Sequence, residues 1–180
     1  VDPPEGYVAS ANNKPANAEV AVGWHFSNDD RISRLRELLS GDGKIGVADL
    51  EALQRDVYLP SAVALRDLLL GQLQRSGVTL TLDQDAVAKT LQDWDGHYDA
   101  DSQGALAFEL TGFAFAANFW SEEERALMEI GGRFDEQLGE AIAAAEPARV
   151  ASALTPALDA ASRGMQEFGV WGDMHRLGLR

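Results

Sequence analysis

Apolar residues recur at helical spacing over most of this chain, and this period constrains the fold more than any other feature of the sequence. From Ser27 onward, Ile32, Leu35, Leu38 and Leu39 would share one face of a first helix. The next predicted helices cover about 47–58, a stretch through Leu65 and Leu73 that stops at Gly77, 83–94, and the nearly uncharged stretch 104–120. A further helical stretch opens at Ser121. The last is an alanine-rich end from Glu146 that Pro156 should break or kink.

The two ends of the chain have a different pattern. Residues 7–11 and 20–24 are short apolar runs on either side of the polar connection NNKPANAE, and they predict two short strands. The sequence VWGDMHRLGLR, residues 170–180, looks like the entry to another strand. The predicted fold is therefore mainly α, a multi-helix body with short β-strands at its ends. Because terminal strands without a sheet would expose unpaired backbone groups, a partner sheet elsewhere is expected.

Charge and composition exclude several classes of partner and site. The chain has 180 residues, of which 46% are hydrophobic, and its formal net charge is -14. This charge repels nucleic-acid phosphates and anionic lipid, so we expect neither nucleic acid nor a membrane as a partner. There is no cysteine, which excludes disulfides and thiolate zinc sites within the sequence.

Four motifs in order resemble one known family. They are GYVASANNKP followed by DDRISRLRELL, then LEALQRDVYLPSA with a Gln-x-Asp helix, then LQDWDGHYDADSQGALAF, and lastly WGDMHRL. Together they are similar to the penicillin amidase (penicillin acylase) family of N-terminal nucleophile hydrolases, and the resemblance covers essentially the whole chain.

The resemblance implies that these residues are an internal segment of the second (β) chain of an enzyme that cleaves itself into two chains. In domain terms, residues 1–26 would be a strand pair from an αββα hydrolase core, 27–168 a helical domain, and 169–180 the start of a strand that returns to that core. The nucleophilic serine would lie outside these residues. The isolated chain is therefore predicted to be inactive.

The resemblance also assigns two catalytic residues. By motif match, Asn12 takes the position of an oxyanion-hole donor, a role that suits a carboxamide because it offers two donors and no titrating charge. Arg31 takes the position of an arginine near the nucleophile, where its permanent charge would orient Asn12 and help to hold the terminal amine in its basic form. The implied substrates are penicillin-like or other N-acyl amides.

Each assignment has a structural alternative. Asn-Asn-x-Pro is a good turn sequence, because asparagine tolerates left-handed backbone geometry and proline fixes the next residue. Asn13 is the better candidate for a purely structural turn role. Arg31, near the start of a helix, would ordinarily be a solvated charge. At the level of function, the alternative is a noncatalytic helical interaction module.

No cofactor is expected for the chemistry itself. Many family members hold a structural calcium, and Glu19 is the nearest acidic candidate, but no ligand in this chain is assigned. The acidic stretch DWDGHYDADS lacks the spacing of a calcium loop, so its aspartates are expected to act as turn and cap residues. The expected macromolecular partners are the remaining segments of the same precursor, with self-association of an excised piece as a further outcome. The resemblance implies a periplasmic location.

Overall fold

The structure is a computed structural model that describes residues 3, 6–15, 20, 23, 26, 28–41, 43–130 and 134–176. Within these residues the fold is mainly helical, and no strand or sheet is formed. An isolated antiparallel bridge joins Tyr58 to His97. The helices are α1 (Asp30–Leu39), α2 (Val47–Gln54), α3 (Pro60–Ser76), α4 (Leu82–Asp93), α5 (Gln103–Phe119), α6 (Glu122–Ile130), α7 (Phe134–Ala144), α8 (Pro147–Phe168) and α9 (Trp171–Met174).

The core lies where α8 packs along α5, with α3 and α4 also in contact with α8 and with α7 on α3. As predicted, α5 is a buried helix, and Phe115 near its end is completely buried. Gly164 of α8 lies so close to α5 that a Cβ atom there would come within 2.7 Å of the Leu110 side chain. Each large apolar side chain buried in this interface stabilises the fold by roughly 1.5–3 kcal/mol. The body of the chain is therefore held by α3, α4, α5, α7 and α8.

The helix stop predicted at Gly77 is confirmed, whereas the predicted end near Tyr58 and a break at Pro156 are not. Gly77 follows α3 with a φ of 66°, the left-handed conformation expected of a helix stop. The second helix ends at Gln54 and not at Tyr58, because the residues that follow turn to pair with the backbone near His97. Pro156 does not end α8, which continues to Phe168.

The predicted terminal strands are not confirmed. Residues 7–11 lie within the described part and have no strand structure, while most of the run 20–24 lies outside it. Near the other end, 171–174 form the short helix α9 where a strand was predicted. A strand needs a neighbour to pair its backbone groups, and the described residues provide no sheet for one. The αββα core implied by the resemblance is likewise not confirmed.

Backbone hydrogen bonds and a ring contact hold the last described segment, at Trp171 and Gly172, against the loop before α5. The backbone nitrogen of Trp171 donates to the carbonyl of Ser102 at 3.1 Å, and that of Gly172 donates to the carbonyl of Ala100 at 2.7 Å. The Trp171 ring also lies edge-on to Tyr98, with 5.3 Å between centroids. These contacts dock the segment on the loop that precedes α5. None of the helices in the described residues combines the length and the apolar character needed to cross a bilayer.

Candidate active site

Asn12 lies in an irregular segment before α1 and its side chain is exposed. Its φ of 57° is in the left-handed region, which asparagine tolerates better than other residues with a side chain. The backbone nitrogen of Ala11 donates to Oδ1 of Asn13 at 3.3 Å, so the second asparagine closes the turn. The carboxamide of Asn12 makes no hydrogen bond to any described residue.

Arg31 is the second residue of α1 and is also exposed. Its guanidinium forms no ion pair or hydrogen bond with a described residue. Asp30 and Arg34 on the same helix, in contrast, make hydrogen bonds or ion pairs with described residues. Among the described residues the structure shows no hydrogen bond between Asn12 and Arg31.

Asp30, next to Arg31, ties α1 to the start of α3. Its Oδ1 accepts a hydrogen bond from the backbone nitrogen of Ser61 at 3.2 Å, and its Oδ2 accepts one from Nδ2 of Asn28 at 2.8 Å. A carboxylate at this place satisfies one of the unpaired N–H groups at the N-terminal end of α3 and favours its helix dipole. Together with Ile32, which is almost fully buried, this contact fixes the first turn of α1.

Arg34 forms a second, charge-assisted contact that joins α1 to the segment before α3. Its Nε donates to Oδ2 of Asp56 at 2.6 Å and its Nη2 donates to Oδ1 of the same carboxylate at 3.3 Å, a two-point contact. Another nitrogen of Arg34 pairs with Glu37 at 2.9 Å, and the guanidinium lies 4.9 Å from the centre of the Tyr58 ring. The hydrogen bond from Arg34 is the main reason that the pKa of Asp56 lies below its ordinary value.

The segment that carries Asp56 is joined to the helical body through its backbone. The nitrogen of Leu59 donates to the carbonyl of Gly96 at 3.0 Å, and the nitrogen of Tyr98 donates to the carbonyl of Val57 at 3.1 Å. Gly96 has a φ of 89°, and a Cβ atom there would meet a methyl group of Val63 at 2.4 Å. A continuous set of contacts therefore runs from the core through this bridge to the helix that bears Arg31.

A cavity of about 330 Å³ opens beside Arg31, between α1 and the segment after α2. An adjoining hollow of about 280 Å³ shares the lining residues Leu38, Leu53 and Asp56 with it. We call the two together the α1–α2 cleft. Its full lining is Asp30, Arg31, Arg34, Leu35, Leu38, Leu39, Ile45, Asp49, Ala52, Leu53, Gln54, Asp56, Tyr58 and Leu59.

The acidic stretch before α5 has a structural role in the described residues. Oδ1 of Asp95 accepts the backbone N–H of His97 at 3.0 Å, a bond that holds the pKa of Asp95 below its ordinary value. Ser102 is the N-cap of α5 and accepts the backbone N–H of Ala105 at 3.1 Å. The described part of the chain holds no group of three or more metal-ligating side chains. Glu19 lies outside the described residues.

The aromatic side chains of α5 are mostly core, as predicted. Phe108, Phe115, Phe119 and the adjoining Trp120 are buried, whereas Phe113 is 78% exposed. This exposed ring lines a separate cavity of about 340 Å³, together with Leu59, Leu65, Tyr98, Phe108, Glu109, Gly112, Ala116, Arg125 and Leu138.

Sequence reasoning assigned roles to Asn12 and Arg31, which stay predictions, and did not identify the ion pair that holds α1. Asp56 belongs to the Gln-x-Asp motif, yet its partner Arg34 is 22 residues away and no local spacing joins them. No pattern in the sequence identifies Arg34 as the partner of Asp56.

A family profile matches the whole chain, and a curated relative matches part of it. The family profile described as penicillin amidase matches residues 1–180. The penicillin acylase 2 proenzyme of Pseudomonas sp. (strain SE83) is 30% identical over 112 residues, which are 60% of this chain and 14% of that relative. The match thus spans about one seventh of the relative's length. No solved structure matches the chain.

Proposed function

Because the chain belongs to the penicillin amidase family, we propose that it is a segment of a larger amidohydrolase that removes the acyl group from penicillin-like or other N-acyl amides. The observation that carries this proposal is the family match over residues 1–180. The nucleophile and the rest of the catalytic centre would come from other segments of the same precursor.

The proposed chemistry is acyl transfer through a serine at the start of a mature chain. The serine Oγ attacks the amide carbonyl while its proton passes to the α-amino group of the same residue. The resulting tetrahedral intermediate bears a negative charge on oxygen, and its collapse expels the protonated amine and leaves an acyl-serine. Water then releases the acid. This chain would contribute to the first step by stabilising the oxyanion.

Asn12 would donate its Nδ2 hydrogen bond to that oxyanion. Two features support this role: the side chain is exposed, and it makes no hydrogen bond to a described residue that a substrate would have to displace. The left-handed φ of 57° directs the chain through a tight turn that Asn13 closes. The turn alternative and the catalytic role are therefore compatible, since the backbone can make the turn while the carboxamide of Asn12 faces the substrate.

Arg31 would act beside Asn12 as a fixed positive charge. Its guanidinium is exposed, and the helix that carries it is anchored by Asp30 and by Arg34, so that the charge has a defined place relative to the body. A cation close to the terminal amine of the nucleophile disfavours the protonated amine and keeps that group available as the base. We also propose that the whole enzyme is exported to the periplasm, as the family resemblance implies.

Activity of the longer polypeptide decides between this function and a noncatalytic helical module. The full-length protein, after maturation, is tested against a panel of N-acylated amines that includes penicillins. The proposal predicts release of the free acid and amine from at least one of them. It is contradicted if the mature protein hydrolyses none of them. Hydrolysis at a rate that Asn12→Gly leaves unchanged would contradict the role of Asn12 alone. The isolated 180-residue chain is expected to be inactive under either function.

A further inference from the structure

The cavity of about 340 Å³ beside Phe113 has mostly apolar walls, which come from α3, α5 and α7. Leu65, Phe108 and Leu138 line it and are buried, whereas Phe113 lines it and is largely exposed. The cavity therefore has a buried inner wall and an aromatic ring on its solvent side. Of the described residues, its lining shares only Leu59 with that of the α1–α2 cleft.

Gly112 leaves space beside the backbone of α5 in this cavity. A Cβ atom at this position would meet nothing within 4 Å beyond its own helix backbone and chain neighbours. Glycine inside a helix is less favourable than alanine by roughly 0.8–1.0 kcal/mol, so the stability of α5 does not account for this residue. The volume of the cavity falls within the range of about 300–1,000 Å³ that small-molecule sites occupy. The space is therefore large enough for a small organic molecule.

The polar side chains in the described lining are Tyr98, Glu109 and Arg125. The hydroxyl of Tyr98 donates to Oε1 of Glu109 at 2.7 Å, so this phenol and this carboxylate bond each other. Nε of Arg125 is buried and has no hydrogen-bond partner among the described residues. A buried N–H group without an acceptor costs about 1–3 kcal/mol, and more when the group is charged. Arg125 is therefore the group whose missing acceptor a ligand would supply.

We propose that this cavity is a binding site for a small monocarboxylate with an apolar body. The carboxylate accepts a hydrogen bond from Nε of Arg125, and the hydrocarbon part lies against Phe108 and Phe113. Apolar walls with a few polar groups that fix the orientation are typical of small-molecule sites. The proposed function is not a premise of this site, because none of its residues is assigned to the hydrolysis.

The charges around the cavity favour a singly charged ligand. Its described lining has one cation, Arg125, and one carboxylate, Glu109. The chain as a whole has a formal net charge of -14, which repels a phosphate or another multiply charged anion. A charge-assisted hydrogen bond is roughly twice as strong as a neutral one, so a carboxylate suits Arg125 better than an amide or an alcohol. The apolar walls suit a hydrocarbon body on that carboxylate.

Calorimetric titration of the mature full-length protein with octanoate tests this site, and octanamide is the neutral ligand of the same chain length. Arg125→Gln removes the charge, Arg125→Lys keeps it, and Gly112→Leu fills the space beside α5. Arg55→Gln, which changes an exposed arginine of α2, is the control for net charge. Urea unfolding of each variant checks that it is folded under the conditions of the titration.

We expect the wild type to bind octanoate at least about tenfold more tightly than octanamide, and Arg125→Gln to lose at least about tenfold in octanoate affinity. Gly112→Leu should weaken the binding of both ligands, and Arg125→Lys should retain more octanoate affinity than Arg125→Gln. Arg55→Gln should bind octanoate as the wild type does. If Arg125→Gln reduces the yield of folded protein, Gly112→Leu and the comparison of the two ligands still decide.

Two results would overturn the site. One is that the wild type does not bind octanoate, and the other is that Arg125→Gln and Gly112→Leu bind it as tightly as Arg55→Gln. Octanamide that binds the wild type as tightly as octanoate would overturn the carboxylate as the ligand.

Discussion

Arg34 and Asp56 form a two-point ion pair that joins helix α1 to the turn before α3. The Nε–Oδ2 distance is 2.6 Å and the Nη2–Oδ1 distance is 3.3 Å, and both side chains are largely shielded from solvent. Because Ile32 is the only buried residue described in α1, polar contacts and not core packing determine where this helix lies. The position of Arg31 on α1 therefore depends on the ion pair of Arg34 with Asp56.

Asp56→Asn should loosen α1 without unfolding the body. The substitution removes the negative charge opposite Arg34 and should lower the free energy of local opening by about 1–2 kcal/mol. Hydrogen exchange of the α1 amides would then be faster by roughly 5–30-fold, while exchange in α5 and α8 stays unchanged. Asp93→Asn, which removes the exposed pair of Asp93 with Lys89 at 2.8 Å, is the control and should have almost no effect. Similar changes in the two variants would contradict the role of the ion pair.

The same pair should make the attachment of α1 sensitive to acid. The pKa of Asp56 is lowered in the folded protein by its hydrogen bond from Arg34, so its stabilising effect is complete above the ordinary aspartate pKa. The effect is lost as the pH falls through the lower folded pKa, that is, below about pH 4. Protection of the α1 amides should fall in this range in the wild type and fall less in Asp56→Asn. An equal acid response in both would show that another group is responsible.

Gly96→Ala should destabilise the bridge that supports Asp56. Its φ of 89° strains any residue with a side chain, and the new Cβ would meet Val63 at 2.4 Å and Tyr58 at 2.8 Å. We expect a loss of about 2–3 kcal/mol in the free energy of unfolding, measured by urea titration. Gly71→Ala, inside α3 with open space around it, is the matched control and should stabilise by about 0.5–1 kcal/mol. Equal stability of the two variants would argue against the bridge geometry.

Arg31→Ala should lower turnover of the mature enzyme, by about tenfold or more if its charge faces the developing oxyanion or the terminal amine. The removal of a cation should also raise the pKa of that amine, so the acid limb of the kcat/KM profile should move to higher pH. Arg31→Lys should restore the position of the limb. Arg36→Ala, an exposed arginine on the same helix, is the control. A lower rate with an unmoved pH profile would assign Arg31 a structural role only.

The sequence predicted the helices of the body closely, because amphipathic spacing and local caps such as Gly77 act over a few residues. It failed where the outcome depends on distant partners. The apolar run 7–11 needs a neighbouring strand, and the pairing of Arg34 with Asp56 spans 22 residues. For Asn12 the sequence contained both a turn and a catalytic interpretation, and the left-handed φ matches the turn. The catalytic assignment comes from family resemblance and stays a prediction.

Turnover of Asn12 variants in the mature full-length enzyme tests the central claim most directly. Asn12→Gly keeps the left-handed backbone accessible and removes the carboxamide, while Asn12→Asp keeps the shape and replaces the donor by an acceptor. Asn13→Ala removes the acceptor for the Ala11 N–H and serves as the control for damage to the turn. We predict that both Asn12 variants fold and lose about a hundred- to a thousandfold in kcat, with Asn13→Ala retaining most of its activity. An unchanged kcat in Asn12→Gly would contradict the account.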